Sequence, residues 1–181
     1  MDPRRLTHVE LLHRPGERAL AQRLFELLGC RPLDRGGHFF SVMVDPAVTD
    51  WRSNILYASE ATPEQCRFED ALTAALDTPG PLGDSARAYL DHFRSRPQYS
   101  AHFGLRCATL GELEAIVARI SDAAETDPDL AGRIEVRRIF RPEDPDAATD
   151  TMVQAFLHTD VVATGLLCLG QHIELQWHVP Q

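Results

Sequence analysis

Two stretches far apart in the chain, T-H-V-E-L-L at 7–12 and A-H-F-G-L-R at 101–106, each carry a His in second place of a strand-like alternation. In the first, Leu6, His8, Glu10 and Leu12 fall on one face and Thr7, Val9 and Leu11 on the other. In the second, Ala101, Phe103, Leu105 and Cys107 alternate with His102, Gly104 and Arg106. A helical period follows each time: Leu20, Leu24, Leu27 and Leu28 up to a natural stop at Gly29, then Leu113, Ile116, Val117 and Ile120 in the second half. Runs rich in β-formers complete both halves, at 38–45 and 53–59 in the first and at 133–140, 152–159 and 171–178 in the second. An order of elements that recurs in this way is the mark of an internal repeat, and it restricts the chain to an α+β fold made of two like modules.

Residues 63–97 break the pattern. They read as two short helices around T-P-G-P-L-G, a spacer or a lid. The sequence thus predicts a first module over 1–62, a helical insertion over 63–97 and a second module over 98–181, in one compact domain. With 44% hydrophobic and 25% charged residues among 181, the chain has the composition of a globular protein with a sizeable core.

Charge and cysteine usage exclude several function classes. The 27 acidic residues outnumber 18 basic ones, and the basic ones form no stripe with interleaved aromatics, so nucleic acid is not an expected partner. No apolar run approaches the ~20 residues of a membrane span, and M-D-P-R-R-L-T-H-V-E-L-L lacks the pattern of a secretory signal, so the expected location is cytoplasmic with no membrane partner. Cys30, Cys66, Cys107 and Cys168 form no CxxC pair; they are expected to be buried thiols rather than zinc ligands or disulfides.

The last strand poses the functional question. In Q-H-I-E-L-Q-W-H, residues 171–178, Gln171, Ile173, Leu175 and Trp177 share one face while His172, Glu174, Gln176 and His178 share the other. That second face carries more proton-handling and metal-binding capacity than a solvated surface needs.

Paired βαβββ modules, a His on the first strand of each half and I-E-L on the last strand resemble the vicinal oxygen chelate superfamily. Its members include glyoxalase I, extradiol dioxygenases, fosfomycin-resistance proteins, methylmalonyl-CoA epimerase and bleomycin-binding proteins. The resemblance spans nearly the whole chain outside 63–97. It implies curled mixed sheets forming a cleft with helices outside, a homodimer, and, where metal is present, a site in the cleft. It carries His8, His102 and Glu174 over as metal ligands. Alternation agrees: with helices packed on Val9 and Leu11, Phe103 and Leu105, and Ile173 and Leu175, those three side chains all point away from the helices. Two imidazoles and a carboxylate suit Fe(II), and also Mn, Ni, Co or Zn.

Glu10, Arg106, His172 and Gln176 share that face, as proton-transfer groups, partners of ligand imidazoles or anchors for an anionic substrate, while Glu174, Glu10 and Arg106 are the candidate catalytic set. His13, His38, His92, His158 and His178 read as structural, at strand ends, in loops or in the insertion. Glyoxalase-like and epimerase-like members use a further Glu on the last strand of the first module, where this chain offers only Glu60 just past S-N-I-L-Y-A-S. Fosfomycin-resistance proteins have a hydroxyl residue where this chain has Glu10. An extradiol-type dioxygenase fits two His and one carboxylate, with Tyr57 and His158 as candidates for its additional Tyr and His. Two classes stay open: a mononuclear metal-dependent dioxygenase, lyase or isomerase acting on a small molecule with vicinal oxygens, and a metal-free protein that binds an antibiotic or aromatic ligand. Tyr57, Gln176 and Trp51 are the candidate ligand contacts, with Phe40 and Trp177 as further stacking surfaces.

Overall fold

The structure, a computed structural model, describes residues 6–48 and 52–180. The first half runs β1 (His8–His13), α1 (Arg18–Leu27), β2 (Arg31–Leu33), β3 (Phe39–Met43) and β4 (Ile55–Glu60). After α2 (Pro63–Asp77) and α3 (Pro81–Ser95), the second half repeats the order with β5 (His102–Arg106), α4 (Leu110–Thr126), β6 (Ile134–Phe140), β7 (Met152–Thr159) and β8 (Gln171–His178). Each half builds a four-stranded mixed sheet, ordered β1-β4-β3-β2 and β5-β8-β7-β6. The first strand lies parallel to the last in both, and the other pairs are antiparallel. The chain is therefore α+β, as its periodicities predict. β2 is an addition to the strands read from sequence: three residues with Pro32 at their centre, tolerable because β2 is an edge strand and leaves little alternation to read.

Local chemistry explains where the two main helices stop and start. α1 buries Ala21, Leu24 and Phe25, with Leu28 just beyond, and ends where Gly29 adopts φ 80°, so that Cys30 N can donate to Phe25 O at 2.9 Å. α4 begins in a capping box: Glu112 N donates to Thr109 Oγ1 (3.0 Å) while Glu112 Oε2 accepts from Ala108 N (2.7 Å). Leu113, Ile116 and Ile120 line its buried face at spacings of three and four, each worth roughly 1.5–3 kcal/mol when removed from water.

One continuous core joins the halves. Leu11, Leu24, Phe25, Val42 and Leu56 of the first pack in the same cluster as Leu105, Leu113, Ile116, Ile173 and Leu175 of the second. Cys30 and Cys107 belong to it; Cys66 and Cys168 are only half-buried, and all four thiols are free. Leu12 and Ala163 exchange backbone hydrogen bonds (2.8 and 3.1 Å), and Arg133 joins Glu17 (2.7 Å) to Asp160 (2.8 Å).

The insertion, read from sequence as a spacer or a lid, docks both of its helices on the second half. Thr62 caps α2 by accepting from Gln65 N (3.2 Å), and Pro63 occupies its first turn, where no N–H is needed. Almost all of α2 stays wet except Glu69, 1% exposed, which accepts from Cys168 N at 2.7 Å and so docks the helix on the turn Leu167–Leu169. The link to α3 is tight. A Cβ at Gly83 would stand 2.2 Å from Thr78 O, so only glycine fits. α3 then brings Phe93 onto the second sheet opposite α4, which corrects the expectation that helices stay outside. No described helix is long and apolar enough to cross a membrane.

Candidate functional site

The register of the second sheet sets three polar rows on the face turned from α4. His102, His172, His158 and Glu135 stand side by side across β5, β8, β7 and β6; Gly104, Glu174, Phe156 and Arg138 form the next row; Arg106, Gln176, Gln154 and Phe140 the third. Cross-strand neighbours on one face lie close enough to interact, so the rows place their chemistry in contact.

Glu174 is the centre. Its side chain is 3% exposed and accepts from His102 Nε2 (3.3 Å), Gln176 Nε2 (2.7 Å) and Gln154 Nε2. Burial pushes its pKa up, but the hydrogen bonds from His102, Gln154 and Gln176 outweigh burial and hold it below the ordinary carboxylate value. His102, a quarter exposed, has Nδ1 2.7 Å from Ser100 O and Nε2 on the carboxylate. Both ring nitrogens face acceptors, which only the imidazolium satisfies. Its pKa accordingly rises, through the Glu174 hydrogen bond first, against burial, with Ser100 O adding to the rise. Gly104 leaves no side chain over this pair: a Cβ there would touch Glu174 Oε2 and Gln176 Nε2 at 3.3 Å.

At the other end of the face Phe93 closes the sheet. Its ring stacks on His172 at 4.1 Å and stands edge-on to His158, whose ring is 5.3 Å from His172. His172 is fully buried with neither ring nitrogen bonded, and burial, then His158, Arg137 and His102, push its pKa down to about 3. It is a neutral packing residue, not an open cleft group. The His158 pKa is lowered, chiefly by burial, and its Nδ1 lies 3.5 Å from Glu135 Oε1.

The first sheet places its expected residues apart from this network. His8 Nδ1 lies 3.0 Å from Thr7 Oγ1 and its ring packs against Tyr57 (5.1 Å), while Glu10 accepts from Ser59 Oγ at 2.5 Å. His8 lines a recess of about 490 Å³ at the seam of β1 and β5 whose other wall includes Gly104. Arg106 is exposed beside Gln176, bordering a small recess with Trp177. Glu60, read as lying just past the strand, ends β4 opposite His13, on the helix side of the sheet. One expectation needs correction: Phe40, 1% exposed, belongs to the core beside Phe25 and is no open stacking surface. Trp177 packs at the core margin and borders the recess beside Arg106. Trp51 lies outside the described residues.

The metal triad is not assembled. Among the described residues no three His, Cys, Asp or Glu side chains group as an ion would require. His102 and Glu174 meet; His8 does not join them, and Gln154 and Gln176 occupy carboxylate lone pairs that a cation would use. Gln154 and Phe93 went unnoticed in the sequence. Alternation along M-V-Q-A-F-L-H could have placed Gln154 on the polar face, but nothing local announces Phe93.

Comparison with models of known protein families and with curated proteins finds no match to this chain.

Proposed function

We propose that the chain is an enzyme of vicinal-oxygen-chelate type that performs acid–base chemistry on a small molecule with adjacent oxygens, using His102 and Glu174. One observation carries the reading: the partly exposed His102 ring sets Nε2 3.3 Å from a buried carboxylate that also accepts from Gln154 and Gln176. The Nε2–H contact of 3.3 Å is long, so a substrate oxygen at that nitrogen competes for the proton. His102 is then the general acid, and Glu174 stabilises and orients its ring. Arg106, on the same face and with no ion pair among the described residues, anchors an anionic group.

A second reading has its own observation. With Nδ1 bonded to Ser100 O, His102 presents Nε2 beside Glu174 Oε2, the arrangement in which a His and a carboxylate begin to hold a divalent cation. A turnover screen over catechols, α-hydroxyketones and epoxides, run with and without a chelator, separates the two. The proposal expects turnover that survives the chelator and falls about 100-fold or more in His102→Ala. Turnover abolished by the chelator and restored by one divalent metal overturns it in favour of the second reading.

A further inference from the structure

The polar-side face of the first sheet carries a cavity of about 520 Å³, within the usual range for small-molecule sites. Its floor follows the register: Leu33, Ser41 and Tyr57 sit in one row across β2, β3 and β4, with Arg31, Met43 and Ile55 in the next. Phe39 stands at the cavity, 50% exposed, its ring edge-on to Tyr57 at 5.3 Å. An aromatic pair left this open offers stacking surface that the core does not use.

The charge of the walls is as selective as their shape. Two guanidinium groups, Arg31 and Arg35, line the cavity, and among the described residues no carboxylate does, in a chain whose net charge is -9. Asp34, the neighbour that could neutralise Arg35, is engaged elsewhere: it accepts from Arg18 Nε (2.7 Å) and Nη2 (2.6 Å), Gln22 Nε2 (2.6 Å) and Gly36 N (2.8 Å). Arg31 spends Nε on Pro46 O and Nη2 on Val48 O, which fixes its position and leaves Nη1 without a partner among the described residues. Arg35 makes no ion pair among the described residues, nor do the Ser41 and Tyr57 hydroxyls donate to a protein acceptor there.

We propose that this cavity binds a small aromatic carboxylate, its ring against Phe39 and Tyr57 and its carboxylate on Arg35, with Arg31 nearby. The site stands on the other sheet from His102 and Glu174 and does not rest on their chemistry.

Titration calorimetry with 2-naphthoate and the uncharged 2-naphthamide tests it. Naphthoate is expected to bind one-to-one and the amide about tenfold more weakly, the worth of one charge-assisted contact. Arg35→Gln, at an exposed turn position, should weaken naphthoate to the level of the amide and leave the amide unchanged. Phe39→Ala should weaken both alike. Arg87→Gln, an exposed arginine of α3, should change neither. Equal affinity for acid and amide, equal effects of the two arginine substitutions, or no binding at millimolar ligand overturns the proposal.

Discussion

Burial alone would push the Glu174 pKa up; the hydrogen bonds from His102, Gln154 and Gln176 outweigh it, and His102 is the one of the three that can carry a charge in return. Glu174→Gln removes that return. The His102 pKa, raised mainly by the Glu174 hydrogen bond, should fall in the variant, which a proton NMR titration of the imidazole reads directly. Stability follows by linkage. A raised His pKa contributes fully below the ordinary 6.5 and is lost as pH rises through the folded value. A lowered Glu pKa contributes above the ordinary 4.5 and is lost as pH falls through the folded value. The wild-type advantage over Glu174→Gln should therefore be largest between those two values, on the order of 1–3 kcal/mol, and shrink on either side. A difference in urea unfolding that is flat from pH 4 to 9 would refute the ion pair. Alternation was enough to put His102 and Glu174 on one face. It could not place His8 with them, because it fixes the face of a side chain and not the offset between two sheets that share no ladder.

At the scale of elements, the insertion shows what periodicity cannot reach. The helices of 63–97 were readable from Phe68, Leu72 and Leu76 and from the turn, yet their destination was not, since Phe93 meets residues more than sixty positions away. The face of a strand is local information; what covers that face is not. This cover has a measurable consequence. Phe93, 5% exposed, excludes water from His172, so Phe93→Ala should cost about 3–5 kcal/mol in denaturant unfolding. The same change should bring the His172 pKa up from about 3 toward its ordinary 6.5, because burial is the main cause of its depression. If the stability falls while the His172 titration stays where it was, α3 is not what keeps that ring dry.

Across the whole molecule, the repeat was legible as an order of elements in one compact domain, and which elements meet at the seam between the repeats was not. Nothing in either half's periodicity says whether α1 and α4 pack together. They do: Leu24 and Phe25 of one lie in the same cluster as Leu113, Ile116 and Ile120 of the other, and Arg119 Nε donates to Leu27 O at 3.2 Å across the seam. Neither half encloses its apolar residues alone, so neither is expected to unfold alone. Calorimetry should show a single transition whose measured enthalpy equals the van't Hoff value. Ile116→Ala tests the seam: at 3% exposed, it should cost roughly 2–5 kcal/mol, and it should lower the unfolding midpoint seen by probes in both halves together. In a Trp51→Phe background, which leaves Trp177 as the single tryptophan, fluorescence of Trp177 and the Tyr57 ring NMR signal report the two sheets separately. Coincident shifts support one cooperative unit, because a core common to both repeats cannot loosen on one side only. A shift confined to the Trp177 half would mean that the first repeat holds its own core, and that the contact between α1 and α4 is a docking of two independent modules.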